Sequence, residues 1–575
     1  MISLASLLDD AIASSRSDTV DLIILNNSQA IIFTAVVYLP EHHSTIPSLF
    51  FLRAFMSCRH PHWIFVVAIS LILWAGSAGA EEIINETDVE SEARTSQPSP
   101  EETLLEAASS IAEQVAEIRG LELKGPINKG VQNREQLRQM LIERFHEEVP
   151  QEEFEAEAQV YKRLGLFDED LDYRQLMLDM LTEQIAGFYD QGAKELYIME
   201  GLPEPVQRPA MAHEIFHAVQ DQHFDIGRLL EPFSSKENGD FALARMALIE
   251  GDATVVMIDF ELHEQGVLPQ NRARSIADIP PLAAAIIEMD SEQMSAVEQL
   301  QPSTAPDLAT GSVPSLTDSV LGSAPPIVRD VLLFPYFGGM QFVLRARAGR
   351  SWSSFDAIYD KAPASTSQIL HPERYFDDDF PLEVRFDAAD ALPDHRPVYE
   401  TVLGELQTRS WLSTHFNEMD SATPSASEIA AGWDGDRLRG YEGPGGEMVV
   451  VHLSSWRSVE QAEVFARALE QTATFRHGGE SSYRSGEYGE SWCLRVGSEP
   501  DGERLYVERW GELVLYIEGA PSTLNDEGRE LNRSVFDMRD AIWDSLQRTP
   551  FEEVLQKRLA ETAEESALEP EQSDQ

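Results

Sequence analysis

Apolar residues recur at three- and four-residue spacing over Leu104, Leu105, Ala108, Ile111, Val115 and Ile118, and the run closes at Gly120. That period is one face of an α-helix, with a glycine placed to end it. Pro126 to Val131 predicts a short strand, and helical patterns follow over Arg134–Phe145, Glu152–Leu164 and Tyr173–Ile185. Gly187–Asp190 and Glu195–Met199 carry aromatic and β-branched residues around a Gln191-Gly192 turn, which predicts a hairpin. Two later segments, Met211 to Val219 and residues 239–262, are apolar nearly all round, the mark of buried helices. Pro326 to Arg347 is a further apolar segment. Its Phe334-Pro335-Tyr336-Phe337-Gly338-Gly339 stretch predicts either a kink or a close backbone approach.

The character changes at about Asp394. A helix-like stretch over Tyr399–Phe416 precedes an alternating run at Met448–Leu453 and a helix over Ser458–Thr472. Strand patterns follow near Trp492–Val496, Arg504–Arg509 and Leu513–Glu518, then a helix over Ser534–Leu546. Strands and helices mix here without a βαβ rhythm, so the fold class is α+β. A mainly helical domain with a small sheet is expected over 101–390, and an accessory α+β domain over 394–548. Residues 290–325, rich in Ser, Pro, Thr and Ala, predict a long disordered insert. The acidic tail 549–575 is expected to fray.

Polar residues inside the apolar segments change the picture. His213-Glu214-Ile215-Phe216-His217 is an HExxH motif. On a helix, His213 and His217 share one face about 6 Å apart, close enough to hold one metal ion. Glu214, ~100° round, can reach a water on that metal without ligating it. Two imidazoles and a basic carboxylate are the parts that zinc-assisted hydrolysis needs. Histidines satisfied within a core would give the same pattern, but three polar side chains on a buried helix are costly unless paired or metal-bound.

A catalytic zinc takes a third protein ligand. Glu250, in the middle of the apolar segment 239–262, is the preferred candidate. His223 is the alternative, at the spacing of a metzincin HExxHxxGxxH motif, but Gln220 occupies the glycine position that would let the chain turn back. On a continuing helix His223 lies ~240° round from His217 and points away. Asp252, ~200° from Glu250, is expected to pair structurally, with Arg245 as partner. His371 and Tyr375 are candidates for stabilising a tetrahedral intermediate, His371 as a catalytic donor. The competing expectation is that His371, before Pro372, merely ends a helix.

Composition narrows the partners. With 44 basic and 99 acidic residues the chain is unsuited to nucleic acid or anionic membrane. Arg59 and His60, the apolar run Trp63 to Trp74 and Ala78-Gly79-Ala80 have the order of a signal peptide over 56–80, cleaved after Ala80. The alternative is an uncleaved anchor, the one case in which a membrane would be a partner. Residues 1–55 are then expected to precede the true start at Met56, and 81–100 to be a linker. Of the two cysteines, Cys58 and Cys493, the second alone would remain, leaving no internal disulfide.

The HExxH motif with Gln220-Asp221-Gln222-His223-Phe224, Glu250-Gly251-Asp252-Ala253-Thr254 and Ser365-Thr366-Ser367-Gln368-Ile369-Leu370-His371-Pro372 resembles a group of poorly characterised bacterial exported HExxH proteins, over about 105–390. Completion of HExxH by a glutamate on a following helix resembles the gluzincin metallopeptidases. The resemblance implies a zincin-like fold, Zn2+ held by His213, His217 and Glu250, Glu214 as general base, and a protein or peptide substrate. In zincins a sheet edge beside the active-site helix pairs with extended substrate, and the 187–199 hairpin is placed for that role. A non-catalytic exported binding protein with a structural zinc site is the competing expectation.

Overall fold

The computed structural model describes residues 99–568, apart from 289–319 and several shorter stretches, and three strands nearer the N-terminus. Those strands, Thr19–Asn26, Gln29–Val36 and Phe55–Met56, form an antiparallel sheet within a separate unit of the chain. Residues 57–80, which carry the expectation of a signal peptide, and most of the expected insert lie outside the described residues.

Helix α1 (Pro100–Arg119) begins at a capping box, in which Ser99 and Glu102 satisfy each other's backbone N–H, and ends on Gly120 in the left-handed region. Strand β1 (Asn128–Gln132) and helices α2 (Arg134–Glu148), α3 (Gln151–Arg163) and α4 (Tyr173–Glu183) follow as the periodicity predicts. The hairpin forms from β2 (Gly187–Asp190) and β3 (Glu195–Met199). Strand β1 joins it in parallel to give the order β1-β3-β2, with β2 at an edge. Helices α5 (Glu204–Phe224) and α6 (Gly239–Glu264) are the two buried helices. They pack with α1 and β3 around Ile111, Val115, Ile198, Ala212, Phe216, Val219, Val256 and Phe260.

Helix α7 (Pro326–Arg347) runs unbroken through Pro335. It is the one described helix long and apolar enough to cross a bilayer, yet it packs along α6. The close approach predicted at the glycines is real. A Cβ on Gly339 would lie 2.0 Å from the Ala247 carbonyl oxygen, and one on Gly251 would lie 2.2 Å from the Gly339 carbonyl carbon.

The rest of the chain is β-rich. After β4 (Leu382–Arg385) come β5 (Arg396–Thr401) and α8 (Gly404–Met419). The helix expected over Tyr399–Phe416 therefore starts one strand late, because Gly404, at φ +73°, turns the chain between them. Strands β6 (Trp433–Glu442), β7 (Met448–Trp456), β8 (Ser482–Gly486), β9 (Gly489–Val496), β10 (Glu503–Trp510) and β11 (Leu513–Pro521) complete an antiparallel sheet, with α9 (Val459–His477) between β7 and β8. Its order is β8-β9-β10-β11-β7-β6-β5. One face packs on α8, α9 and, from the first half of the chain, α3 and α4. One core thus joins residues from both sides of the boundary expected near 390. The other face carries Val535, Met538 and Ile542 of α10 (Arg533–Ser545). Strand β12 (Gln547–Pro550) pairs with β4, and the expected frayed tail instead begins as helix α11 (Phe551–Leu568). Phe551 and Leu555 bury against Phe233 and Phe241, an apolar anchor that the acidic composition hides. The fold class is α+β, helical toward the N-terminus and β-rich toward the C-terminus.

Glu518 of β11 lies fully buried where these layers meet, bonded to Arg476, His477 and Tyr516. Burial pushes its carboxyl up, but Arg476, His477, Tyr516 and Arg163 outweigh that and hold it at about 2. A depressed carboxylate contributes stability above its unfolded pKa, and the contribution fades as pH falls toward the folded value. The unfolding midpoint in urea is therefore expected to drop between pH 5 and pH 2.5. Glu518→Gln is expected to lower the midpoint at pH 7 and flatten that acid-side drop.

Candidate metal centre

The fold brings the two ligand-bearing helices together. His213 Nε2 lies 3.0 Å from Glu250 Oε2 and 3.1 Å from His217 Nε2, and the His217–Glu250 separation is 3.4 Å. Among the described residues these three form a group whose ligand atoms all lie within 4.8 Å of one another. Tetrahedral zinc with bonds of about 2.0–2.1 Å separates its ligand atoms by ~3.3 Å, so the donor triangle is of the right size. All three side chains are largely buried, and the donor set of two imidazoles and a carboxylate suits zinc. Burial opposes a charge on His217, but Glu250 and then Glu214 outweigh it and lift its pKa to about 9. Glu250, despite its own burial, is held far below the usual carboxylate range by the two histidines.

Glu214 sits beside this triangle and accepts from the Tyr189 N–H at 3.1 Å. Burial pushes its carboxyl above the usual range, partly offset by the two imidazoles. The Tyr189 N–H points away from β3, so the outer edge of β2 faces the motif helix, and Glu214 already takes that one donor of the edge. The hairpin is fastened there by the Tyr189 hydroxyl and Lys194, which both bond Asp221 on α5, at 2.7 and 2.5 Å.

The other expected residues lie elsewhere. His223 turns its Nε2 to the Glu122 carbonyl at 2.6 Å and is not part of the triangle, because α5 continues past Gln220 as a regular helix. His371 ends the short helix Thr366–Leu370 and bonds Glu405 on α8 at 2.7 Å. The Tyr375 hydroxyl donates to the Lys361 carbonyl. Neither meets the triangle. The Ser365–Pro372 motif serves as a joint: the Thr366 N–H donates to Asp240 on α6, and Gln368 spans Ala364 and Asp379. Asp252 pairs with Arg119 of α1 at 3.0 Å, while Arg245 stacks over Phe241 instead.

Two residues were not foreseen as parts of the site. Tyr336 of α7 lies with its ring 6.0 Å from that of His213 and is 40% exposed, at the lip of the centre. Desolvation beside the site, with the Glu250 and Glu214 carboxylates nearby, raises its pKa above the ordinary value. Its signal in the sequence is the spacing to Gly339, which sets α7 against α6 beside Glu250. Gln220 accepts from His217 Nδ1 at 2.8 Å. Its three-residue spacing from His217 on the helix is the signal for that contact.

Residues 393–528, the seven-stranded sheet with α8 and α9, match a family described as a domain of unknown function (DUF8575). No curated protein and no solved structure matches the chain. The match falls on the β-rich region and does not include the residues of the metal centre.

Proposed function

We propose that the chain is an exported, zinc-dependent metallopeptidase of gluzincin type, with His213, His217 and Glu250 holding the metal. The observation that carries this reading is the convergence of three largely buried side chains whose donor atoms lie within 4.8 Å of one another, with Glu214 beside them. Zinc held there would supply an acidified water and polarise a scissile carbonyl. Glu214 takes the proton of the attacking water and returns it to the leaving nitrogen, a task suited to a carboxyl whose pKa is raised. The remaining backbone groups on the outer edge of β2 receive the peptide in extended form through hydrogen bonds, which suits substrates of varied sequence. The Tyr336 hydroxyl, still protonated, donates to the oxyanion. Export rests on the sequence Arg59 to Ala80.

Metal content and cleavage of fluorescein-labelled casein by the full chain test this reading. The expected result is one zinc per chain, lost in Glu250→Ala and retained in His223→Ala. Glu214→Gln is expected to keep its zinc and lose about 10²–10⁴-fold in cleavage rate. Tyr336→Phe is expected to keep its zinc and lose about 10²-fold in kcat. A chain that holds no zinc overturns the reading. A chain that holds zinc and cleaves no more than Glu214→Gln has a structural site in a binding protein.

A further inference from the structure

Behind His217 a chain of buried hydrogen bonds runs to the far end of α1. Gln220 Oε1 can only accept, so Nδ1 of the His217 imidazole carries a proton and Nε2 is the nitrogen turned to His213 and Glu250. The Gln220 amide is itself fixed, because its Nε2 donates to the Ile249 carbonyl at 3.0 Å and to the Tyr359 hydroxyl at 2.9 Å. Reversing the amide would set two carbonyl oxygens against each other. The Tyr359 hydroxyl donates onward to Asp252 Oδ2 at 2.7 Å. Asp252 is held by Arg119, which also pairs with Asp356 at 2.8 Å and stacks over Trp352. Gln220, Asp252 and Arg119 are fully buried and Tyr359 nearly so.

The two anchor points on α6, the Ile249 carbonyl and the Asp252 carboxylate, lie on either side of Glu250 in sequence. The chain therefore does two things: it fixes the tautomer of His217 on α5 and ties that residue to the turn of α6 that carries the third ligand. His213 has no such support. Its Nδ1 is buried and has no hydrogen-bond partner among the described residues.

On the reading of the site as a zinc centre, we propose that Gln220 and Tyr359 are positioning residues for His217. Metal retention then depends on the Tyr359 hydroxyl, which belongs to neither the ligand set nor the substrate edge. Outer hydrogen-bond partners of ligating histidines change metal affinity by about 10–100-fold when removed.

The test measures zinc affinity by chelator competition, and the visible absorption of the cobalt form, on the full chain. Tyr359→Phe and Gln220→Leu are compared with wild type, with Gln220→Glu and with Phe224→Leu. Gln220→Glu keeps an acceptor for Nδ1 but loses the amide donor to Ile249 and Tyr359. Phe224→Leu disturbs the ring stacked on Tyr359 at 3.8 Å and leaves every bond of the chain in place. Zinc affinity is expected to fall about 10–100-fold in Gln220→Leu and about 10-fold in Tyr359→Phe, with altered cobalt spectra in both. Gln220→Glu is expected to lose less affinity than Gln220→Leu, and Phe224→Leu to lose thermal stability while keeping its affinity. Wild-type affinity and spectrum in both Gln220→Leu and Tyr359→Phe overturn the inference and leave the zinc reading standing. So does an equal loss in Phe224→Leu, which would make the effect one of packing. A wild-type chain that binds neither metal overturns the zinc reading itself.

Discussion

Replacing Asp252 by alanine is expected to cost about 3–5 kcal/mol of folding stability, the range for removing one partner of a buried ion pair. Arg119 is wholly inaccessible to water, so its guanidinium cannot recover hydration when the carboxylate is lost. The ring of Trp352, 4.2 Å from the guanidinium carbon, offers a weaker substitute, and Asp356 is partly solvated. The Tyr359 hydroxyl loses its acceptor in the same step. Urea denaturation of Asp252→Ala, Arg119→Leu and the double variant measures this as a cycle. The double variant is expected to be more stable than Asp252→Ala alone, because it leaves no buried charge unpaired. Additive losses would mean that the pair is not coupled. The size of this effect is also why the support of His217 is better read at Tyr359 than at Asp252.

Gly339→Ala is expected to be comparably damaging, at about 3 kcal/mol or more, the upper part of the range for over-packing. Its Cβ would meet the Ala247 carbonyl oxygen at 2.0 Å and the Gly251 Cα at 3.0 Å. These are backbone atoms of a neighbouring helix, so no side chain can rotate aside. The helices must separate, and the displacement falls on the site, since Gly251 follows Glu250 and Tyr336 lies one turn before Gly339. Loss of zinc affinity is expected to accompany the loss of stability. Gly125→Ala, where an added Cβ meets nothing within 4 Å, is the control and is expected to be near neutral. A Gly339→Ala protein as stable as that control would mean that α6 and α7 can repack.

The elements most legible in the sequence are those whose periodicity and polarity disagree. His213, Glu214 and His217 stand out because they interrupt a helix that is apolar on all sides, and Glu250 stands out for the same reason on α6. The β2–β3 hairpin follows from its aromatic arms and its turn. Tyr336 was hidden because a tyrosine in an apolar helix reads as core, and only the crossing of α6 and α7 decides that it faces His213. His371 ends a helix, as its place before Pro372 allows, and only the fold shows that its partner Glu405 arrives from α8. The tail departs from expectation. Its acidic composition suggests disorder, yet Phe551 and Leu555 suffice to seat a helix in a pocket that other segments build.

By itself the sequence determined the α+β class, the two buried helices that carry the candidate donors, and the pairing of His213 with His217 on one helical face, because local periodicity records which faces are buried. Tertiary structure alone decided that Glu250 rather than His223 completes the triangle, that Arg119 rather than Arg245 neutralises Asp252, and that α3 and α4 join the core of the β-rich half. Each of these is a choice between partners far apart in the chain. Helical spacing says which way a side chain points, and only packing says what it meets there.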